Sequence, residues 1–369
     1  MSDKQPLIIA IYLPQFHETE FNNTHWESGY TEWTACRRAK QLFDGHRQPR
    51  EPLENRYYDL SRIENIKYQS DLAKHYGIDG FAVYHYYSCG EKLLNKPMEL
   101  LLEHPEVDFP FYFFWANESW RKNWFGQDKN VIWPQVYGTE NDWIVHYEYC
   151  SRFFNDSRYL KYNNKPVFFI YQPWQFEQID AFIDLWNELS KKEGYDGVFF
   201  VKNVTARTTS KTGHFDAVFE RQPFFELGKG ENLIKKYSRL LFSRIWEYTN
   251  RIGITKHLLW RRDYAEACRK IIKMKPSALE KTILGVFSGW DNTPRKGYSG
   301  CLFENESADV FEKCLIEQIK KAQKYGCPQI VINAWNEWAE GMYIEPDKTN
   351  GYRYLEGVKR AKVITGLIQ

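Results

Sequence analysis

The 369-residue chain has no long apolar run, almost no net charge and no closely paired cysteines. No stretch approaches the ~18 consecutive apolar residues a helix needs to cross a bilayer. The polar start, Met1 to Pro6, leads straight into apolar Leu7–Leu13. It lacks the charged opening, longer apolar segment and small-residue cleavage site of a secretion signal, so a cytoplasmic location is expected. The 7 cysteines (36, 89, 150, 268, 301, 314 and 327) are odd in number and widely spaced, with no Cys-x-x-Cys. That pattern predicts reduced thiols rather than a disulfide framework. The 9 histidines show no zinc-type spacing, and neither a metal nor a cofactor is expected. Lys+Arg total 50 against Asp+Glu 48, a net charge of +2 that gives no global reason to bind nucleic acid. Also absent are the Gly-x-x-x-x-Gly-Lys-[Ser/Thr] phosphate loop, Gly-x-Gly-x-x-Gly and the Gly-x-Ser-x-Gly nucleophile elbow. There is no Asp-x-Asp, the commonest metal site of sugar-nucleotide transferases.

Aromatic residues are abundant: 14 Trp, 25 Tyr and 25 Phe, or 17% of the chain. A core this size buries many of them, but so many Trp and Tyr also suit a cleft that meets a ligand. Eight short β-branched and aromatic runs recur: Leu7–Leu13, Gly80–Tyr84, Phe111–Trp115, Val167–Tyr171, Gly197–Val201, Ala217–Glu220, Ile283–Phe287 and Ile330–Trp335. Most are continuously apolar, as parallel strands buried on both faces require. Helical patterns fall at Ile63–Tyr76, Trp143–Phe154, Ile179–Lys192, Ala308–Tyr325 and Tyr354–Ile364. Eight βα units predict a (β/α)8 TIM barrel with insertions, since a plain one takes roughly 250 residues. The rival, a doubly wound open sheet, usually has a glycine-rich first turn, unlike Pro14-Gln15-Phe16-His17. Without repeats or Ser/Gly-rich linkers, residues 1–369 are expected to form one domain. Long insertions follow strand 1 (residues 14–58) and strand 6 (residues 222–276). Residues 229–275 carry 13 basic and 4 acidic side chains, predicting two amphipathic helices around Leu233–Thr249 and Thr255–Lys273. Such a face is either simply solvated or a docking surface for an acidic glycan or for anionic lipid, the latter as a peripheral contact with the inner face of a membrane.

Residues just after barrel strands form the catalytic face. Those positions give Tyr12, Gln15 and His17; Tyr84, His85, Tyr86 and Tyr87; Trp115, Asn117, Glu118 and Trp120; and Tyr171, Gln172 and Trp174. They continue with Lys202 and Asn203; Glu220, Arg221 and Gln222; Trp290, Asp291, Asn292 and Arg295; and Trp335, Asn336, Glu337, Trp338 and Glu340. Aromatic faces beside amides and carboxylates are what a sugar demands, since its C–H faces pack on rings and its hydroxyls need directional partners. The sharpest local feature is Trp335-Asn336-Glu337-Trp338-Ala339-Glu340-Gly341. Glycoside cleavage usually takes two carboxyl groups, one able to donate a proton. Residues three apart lie within ~10 Å even in extended chain, and one helical turn brings them onto one face. Trp335 and Trp338 are placed to desolvate a carboxyl and raise its pKa. Two glutamates three apart are also common as solvated helix-face charges; their place at the end of the eighth strand favours chemistry. Glu345 is a third candidate, better suited to a supporting role. Tyr12, His17, Tyr84, His85, Trp115, Asn117, Glu118, Trp120, Trp290, Asp291, Trp335, Asn336 and Trp338 are the candidate sugar contacts.

These residues resemble a known family. Ala10-Ile-Tyr-Leu-Pro-Gln-Phe-His17, Gly29-Tyr-Thr-Glu-Trp33, Trp115-Ala-Asn-Glu-Ser-Trp120, Gly289-Trp-Asp-Asn-Thr-Pro-Arg295, Asn333-Ala-Trp-Asn-Glu-Trp-Ala-Glu-Gly341 and Ile344-Glu-Pro-Asp347 carry the likeness. In that order they resemble the glycoside hydrolase family 99-like proteins, specifically the WbsX type of bacterial O-antigen and capsule gene clusters. The resemblance implies a (β/α)8 barrel and a retaining, metal-independent endo-α-mannosidase-like activity. It further implies that Glu337 assists attack of the sugar's 2-hydroxyl on the anomeric carbon, giving a 1,2-anhydro sugar. Glu340 would then protonate the leaving oxygen and later activate water. Where relatives often carry His between the glutamates, this chain has Ala339. The expected partner is an oligosaccharide or lipid-linked glycan. A glycosyltransferase and a non-catalytic glycan-binding barrel are the alternatives.

Overall fold

The computed structural model describes residues 5–122, 130–205, 208, 213–228, 249 and 259–369. Among them, eight parallel strands run as β1 (Leu7–Tyr12), β2 (Gly80–Ser88), β3 (Phe111–Trp115), β4 (Lys165–Ile170), β5 (Phe199–Val204), β6 (Ala217–Glu220), β7 (Thr282–Phe287) and β8 (Gln329–Asn333). Each pairs with the next, and β1 pairs with both β2 and β8, so the sheet closes on itself. Ile8 lies opposite Ile330 on one side and Ile9 opposite Gly80 on the other. Closure explains the apolar runs: one side of each strand faces the barrel interior and the other the helix layer. All eight sequence-predicted strands are present, and the open-sheet rival is excluded.

Helices Ile63–His75, Glu140–Phe154, Ile179–Lys192, Ala308–Tyr325 and Arg353–Ile364 follow the predicted patterns within a few residues. Ala308–Tyr325 starts where the Ser307 side chain accepts from Val310 N and stops at Gly326 in the left-handed region. Alternation along each strand sorts the aromatic residues. Tyr112, Phe114, Phe169 and Phe219 pack on one another inside the barrel. Phe113, Trp115 and Phe168 instead meet Phe153, His146 and Trp186 of the helices.

The insertion after β1 forms short helices Glu20–His25 and Glu32–Arg38, and Trp33 anchors it against Phe16, Tyr58 and Trp338. In the insertion after β6, the helix expected around Leu233–Thr249 and the start of Thr255–Lys273 lie outside the described residues. The rest of the second is part strand: Trp260–Asp263 pairs in parallel with Cys301–Glu304, and the helix begins only at Tyr264. The cause is local. The Asp263 side chain accepts from Glu266 N and caps a helix whose Tyr264, Ala267, Cys268 and Ile271 are buried. Among the described residues no helix is long and apolar enough to cross a membrane.

Candidate active site

At the carboxyl ends of the strands a cavity of about 560 Å³ opens, lined by residues that follow β1–β4, β6, β7 and β8. Glu337 and Glu340 both reach its wall. Asn336–Glu337 pairs antiparallel with Met342–Tyr343, and Trp338–Glu340 between them forms one 3-10 turn. Gly341 ends that turn at φ 61°, and a Cβ there would meet Asp291 N at 3.0 Å, so both backbone angle and space favour glycine. The predicted single turn is therefore the device that brings the two carboxyls to one cavity.

Neighbouring groups fix this hairpin. Asn336 Oδ1 accepts from Leu13 N at 2.7 Å and its Nδ2 donates to Leu13 O at 3.0 Å, tying β8's extension to the end of β1. Trp338 Nε1 donates to Glu345 at 2.7 Å, and its ring stacks on Tyr343 at 3.8 Å. Glu345 also accepts from Tyr58 and Gln69. Burial raises its pKa to about 7 against those bonds. Asp291 N donates to Glu340 O at 2.7 Å. The Asp291 carboxylate accepts from His46, Gln48 and Thr293. Burial pushes that carboxyl up, but the His46 bond and the Arg50 charge prevail and hold it at about 2.

The two candidate catalytic carboxyls sit in different surroundings. Glu337 is 4% exposed; burial first, and the charge of Glu340 second, push its pKa up to about 7. Arg221 Nη2 stands 3.8 Å away, and the Tyr84 hydroxyl opposes the rise by hydrogen bonding. Glu340 is more open, and Arg295 donates to it at 2.7 Å. The same guanidinium contacts buried Glu32, so Arg295 is held from both ends. Glu118 accepts from Gln172 at 2.6 Å, and burial raises its pKa.

Six of the predicted residues therefore share the cavity wall: Tyr84, Glu118, Trp120, Trp290, Glu337 and Glu340. Nine do not, and strand parity or local bonding is the reason. Tyr12 turns outward and its hydroxyl donates to Gln69 at 2.6 Å. His17 is buried off the wall, and burial lowers its ring pKa to about 4. His85 bonds His146 between their Nε2 atoms at 2.9 Å. Trp115 donates to Tyr87 O at 2.9 Å. Asn117 braces Gln172, accepting from its N and donating to its O. Asp291 and Asn336 hold backbone and loops as described, Trp335 packs on Phe81, and Trp338 hydrogen-bonds Glu345 rather than either wall glutamate. Among the strand-end positions, Gln15, Tyr86, Tyr171, Gln172, Arg221, Asn292 and Arg295 also reach the wall. Trp26, Arg121, Gln175, Phe224 and Lys296 join from the segments beyond them, where sequence offers no marker of the cavity. His85, His146 and Cys150 are, among the described residues, the group of three metal-type ligands that converges; they are buried in the helix layer.

The closed (β/α)8 barrel thus gathers paired carboxyls, arginines and aromatic rings at its carboxyl-end mouth. The chain belongs to the family described as Glycosyltransferase WbsX, whose model it matches over residues 8–358. It is 28% identical over 359 residues to the uncharacterized protein WxcX of Xanthomonas campestris pv. campestris, covering 96% of this chain and 49% of that one. The chain thus spans about half the length of that relative. Its fold is similar to the GH99 endo-alpha-mannosidase of Bacteroides thetaiotaomicron, with a TM-score of 0.58 at 14% identity over 98% of this chain and 97% of that one. A glycoside hydrolase-like protein gives a TM-score of 0.56 at 12% identity, covering 98% and 95%.

Proposed function

We propose that the chain is an enzyme of cell-surface polysaccharide metabolism that breaks or transfers a glycosidic bond, with Glu337 and Glu340 as its catalytic residues. The observation carrying this reading is the 3-10 turn that sets one desolvated and one arginine-paired carboxyl on the same cavity. Two carboxyls in unlike environments are what acid–base work at a glycosidic oxygen needs. In the scheme the family likeness suggests, Glu337 takes the proton of the 2-hydroxyl as that oxygen attacks the anomeric carbon. Glu340 gives its proton to the departing oxygen, then activates the water that opens the strained ring. One observation favours the exchanged roles. Arg295 binds Glu340 as a carboxylate, so a donor role requires that ion pair to part first, whereas burial favours the protonated form of Glu337.

The substrate is an α-linked oligosaccharide or lipid-linked glycan met in the cytoplasm, residues 1–369 acting as one domain and residues 229–275 approaching the membrane. The family's description favours a second reading, transfer from an activated sugar. Incubation with α-linked oligosaccharides, and separately with nucleotide sugars plus acceptor, tests both. Release of reducing ends supports cleavage and a lengthened acceptor supports transfer. Saccharide binding without turnover of either substrate class would reject the enzyme reading in favour of a glycan-binding barrel.

A further inference from the structure

Arg221 is the least expected group on the cavity wall. It is 5% exposed, on the turn after β6, with its Cζ 4.9 Å from the ring centres of both Tyr171 and Phe224. Its Nη2 donates to Tyr84 at 2.8 Å, but the nearest carboxylate oxygen among the described residues, Glu337 Oε1, is 3.8 Å away, beyond hydrogen-bond reach. The guanidinium Nε is buried without a partner, as is Trp290 Nε1 on the same wall. Burying a guanidinium is unfavourable unless an opposite charge offsets it. The charges of Glu337 and Glu340 offset part of that cost, but Glu337 makes no hydrogen bond to the guanidinium, and burial pushes Glu337 and Glu118 toward their neutral forms. Arg295 on the same wall is already engaged with Glu340 and Glu32. A neutral sugar can accept a hydrogen bond from Arg221 but cannot balance its charge. A planar anionic oxygen pair or a phosphate can do both.

We infer that the cavity takes an anionic saccharide, one bearing a carboxylate or phosphate, and that Arg221 holds the charged group. This rests on the reading of the cavity as a saccharide site and narrows its substrate class. Bound there, the anion lies beside Glu337, so Arg221 both selects the substrate and seats it against the reacting carboxyl.

The test is calorimetric or NMR titration of the full chain with matched pairs that differ only in charge. Methyl α-glucuronide is compared with methyl α-glucoside, methyl α-galacturonide with methyl α-galactoside, and α-mannose 1-phosphate with methyl α-mannoside. At least one anionic member should bind ten-fold or more tightly than its neutral partner at low salt. The preference should shrink as salt rises, because part of the attraction is screened. The first two pairs report a sugar carboxylate and the third a phosphate, so the positive arm names the anion. In Arg221→Gln the preference should vanish, the anionic member binding no more tightly than its neutral partner; Arg221→Lys, which keeps charge but loses the planar fork, should retain only part of it. The wild-type comparison needs no variant, so a misfolded mutant leaves the test intact. Neutral members binding as tightly as anionic ones in every pair would overturn the inference and leave the saccharide reading standing. An anionic preference that survives Arg221→Gln would remove Arg221 from it. Failure of every saccharide to bind would instead bring down the site reading itself.

Discussion

Two faces of one strand end behave differently. On β2, Tyr84 and Tyr86 face the cavity, while His85 and Tyr87 face the helix layer, where both rings meet His146. The same split recurs at the end of β1, where Leu13 reaches the wall and Tyr12 does not, and at the end of β3, where Ala116 reaches it and Trp115 does not. Sharing a strand end is not sharing a site: the two-residue period of a strand assigns alternate side chains to ligand and to scaffold. The cavity face should therefore carry function with little stability, and the outward face stability with little function.

The sharpest way to break that contrast is at the two glutamates. Glu337→Gln should lower turnover by about 10²–10⁴-fold, the usual range for a group that moves a proton, without loss of stability. Glu340→Gln should lose most of its rate on substrates with poor leaving groups and far less on activated aryl or fluoride glycosides, which need little protonation. If the leaving-group dependence falls on Glu337→Gln instead, the two carboxyls exchange roles. Near wild-type rates in both variants would return them to solvated structural charges.

How much of this was legible follows from the same contrast. Continuous runs such as Phe111–Trp115 reveal the strands because both faces are apolar, and that symmetry hides which residue faces in. The glutamates were legible because a 3-10 turn makes residues three apart neighbours whatever the strand parity. Asp291 and Trp338 were legible as important but not as supports, since their partners His46, Gln48 and Glu345 come from other segments. The Arg295 link to Glu32 is likewise a pairing of distant positions that spacing cannot show.

Tryptophans give the next contrast. Trp115 is 2% exposed among His146, Tyr137 and Phe182, so Trp115→Ala should cost about 3–5 kcal/mol by leaving a core cavity. Trp120, half-buried on the cavity wall against Tyr86, should cost much less stability and weaken saccharide binding instead. Denaturant unfolding and ligand titration on the two variants check this; equal stability losses would erase the distinction.

Stability against pH should report the buried carboxyls. Glu337 and Glu345 titrate near 7 in the folded chain against 4.5 for the free side chain. Between those values the folded state holds protons that the unfolded state releases, so stability falls as pH rises from about 4.5 through 7, by on the order of 3 kcal/mol for each. Asp291 works in the opposite direction, its contribution present above 3.8 and lost as pH falls toward 2. Glu337→Gln should remove its share of the decline between pH 4.5 and 7, measured by denaturant unfolding across that range. An unchanged slope would mean that Glu337 is not buried as described.

The smallest expected effect separates the faces most cleanly, because the same oxygen is removed twice. Tyr84 and Tyr12 are both buried, and each hydroxyl is hydrogen-bonded, Tyr84 accepting from Arg221 at 2.8 Å and Tyr12 donating to Gln69 at 2.6 Å. Tyr84→Phe removes the group that links Arg221 to Glu337. The loss should appear in kcat, by roughly ten-fold for one hydrogen bond to a charged group, and as an upward shift of the pH at which Glu337 titrates. Tyr12→Phe leaves Gln69 short of a donor in the helix layer, a cost of about 1 kcal/mol in unfolding free energy, while kcat and its pH profile stay as in the wild type. Steady-state kinetics across pH and urea unfolding on the two variants suffice. Should Tyr12→Phe move the pH profile as Tyr84→Phe does, the outward face would be part of the catalytic apparatus and strand parity would not divide function from scaffold.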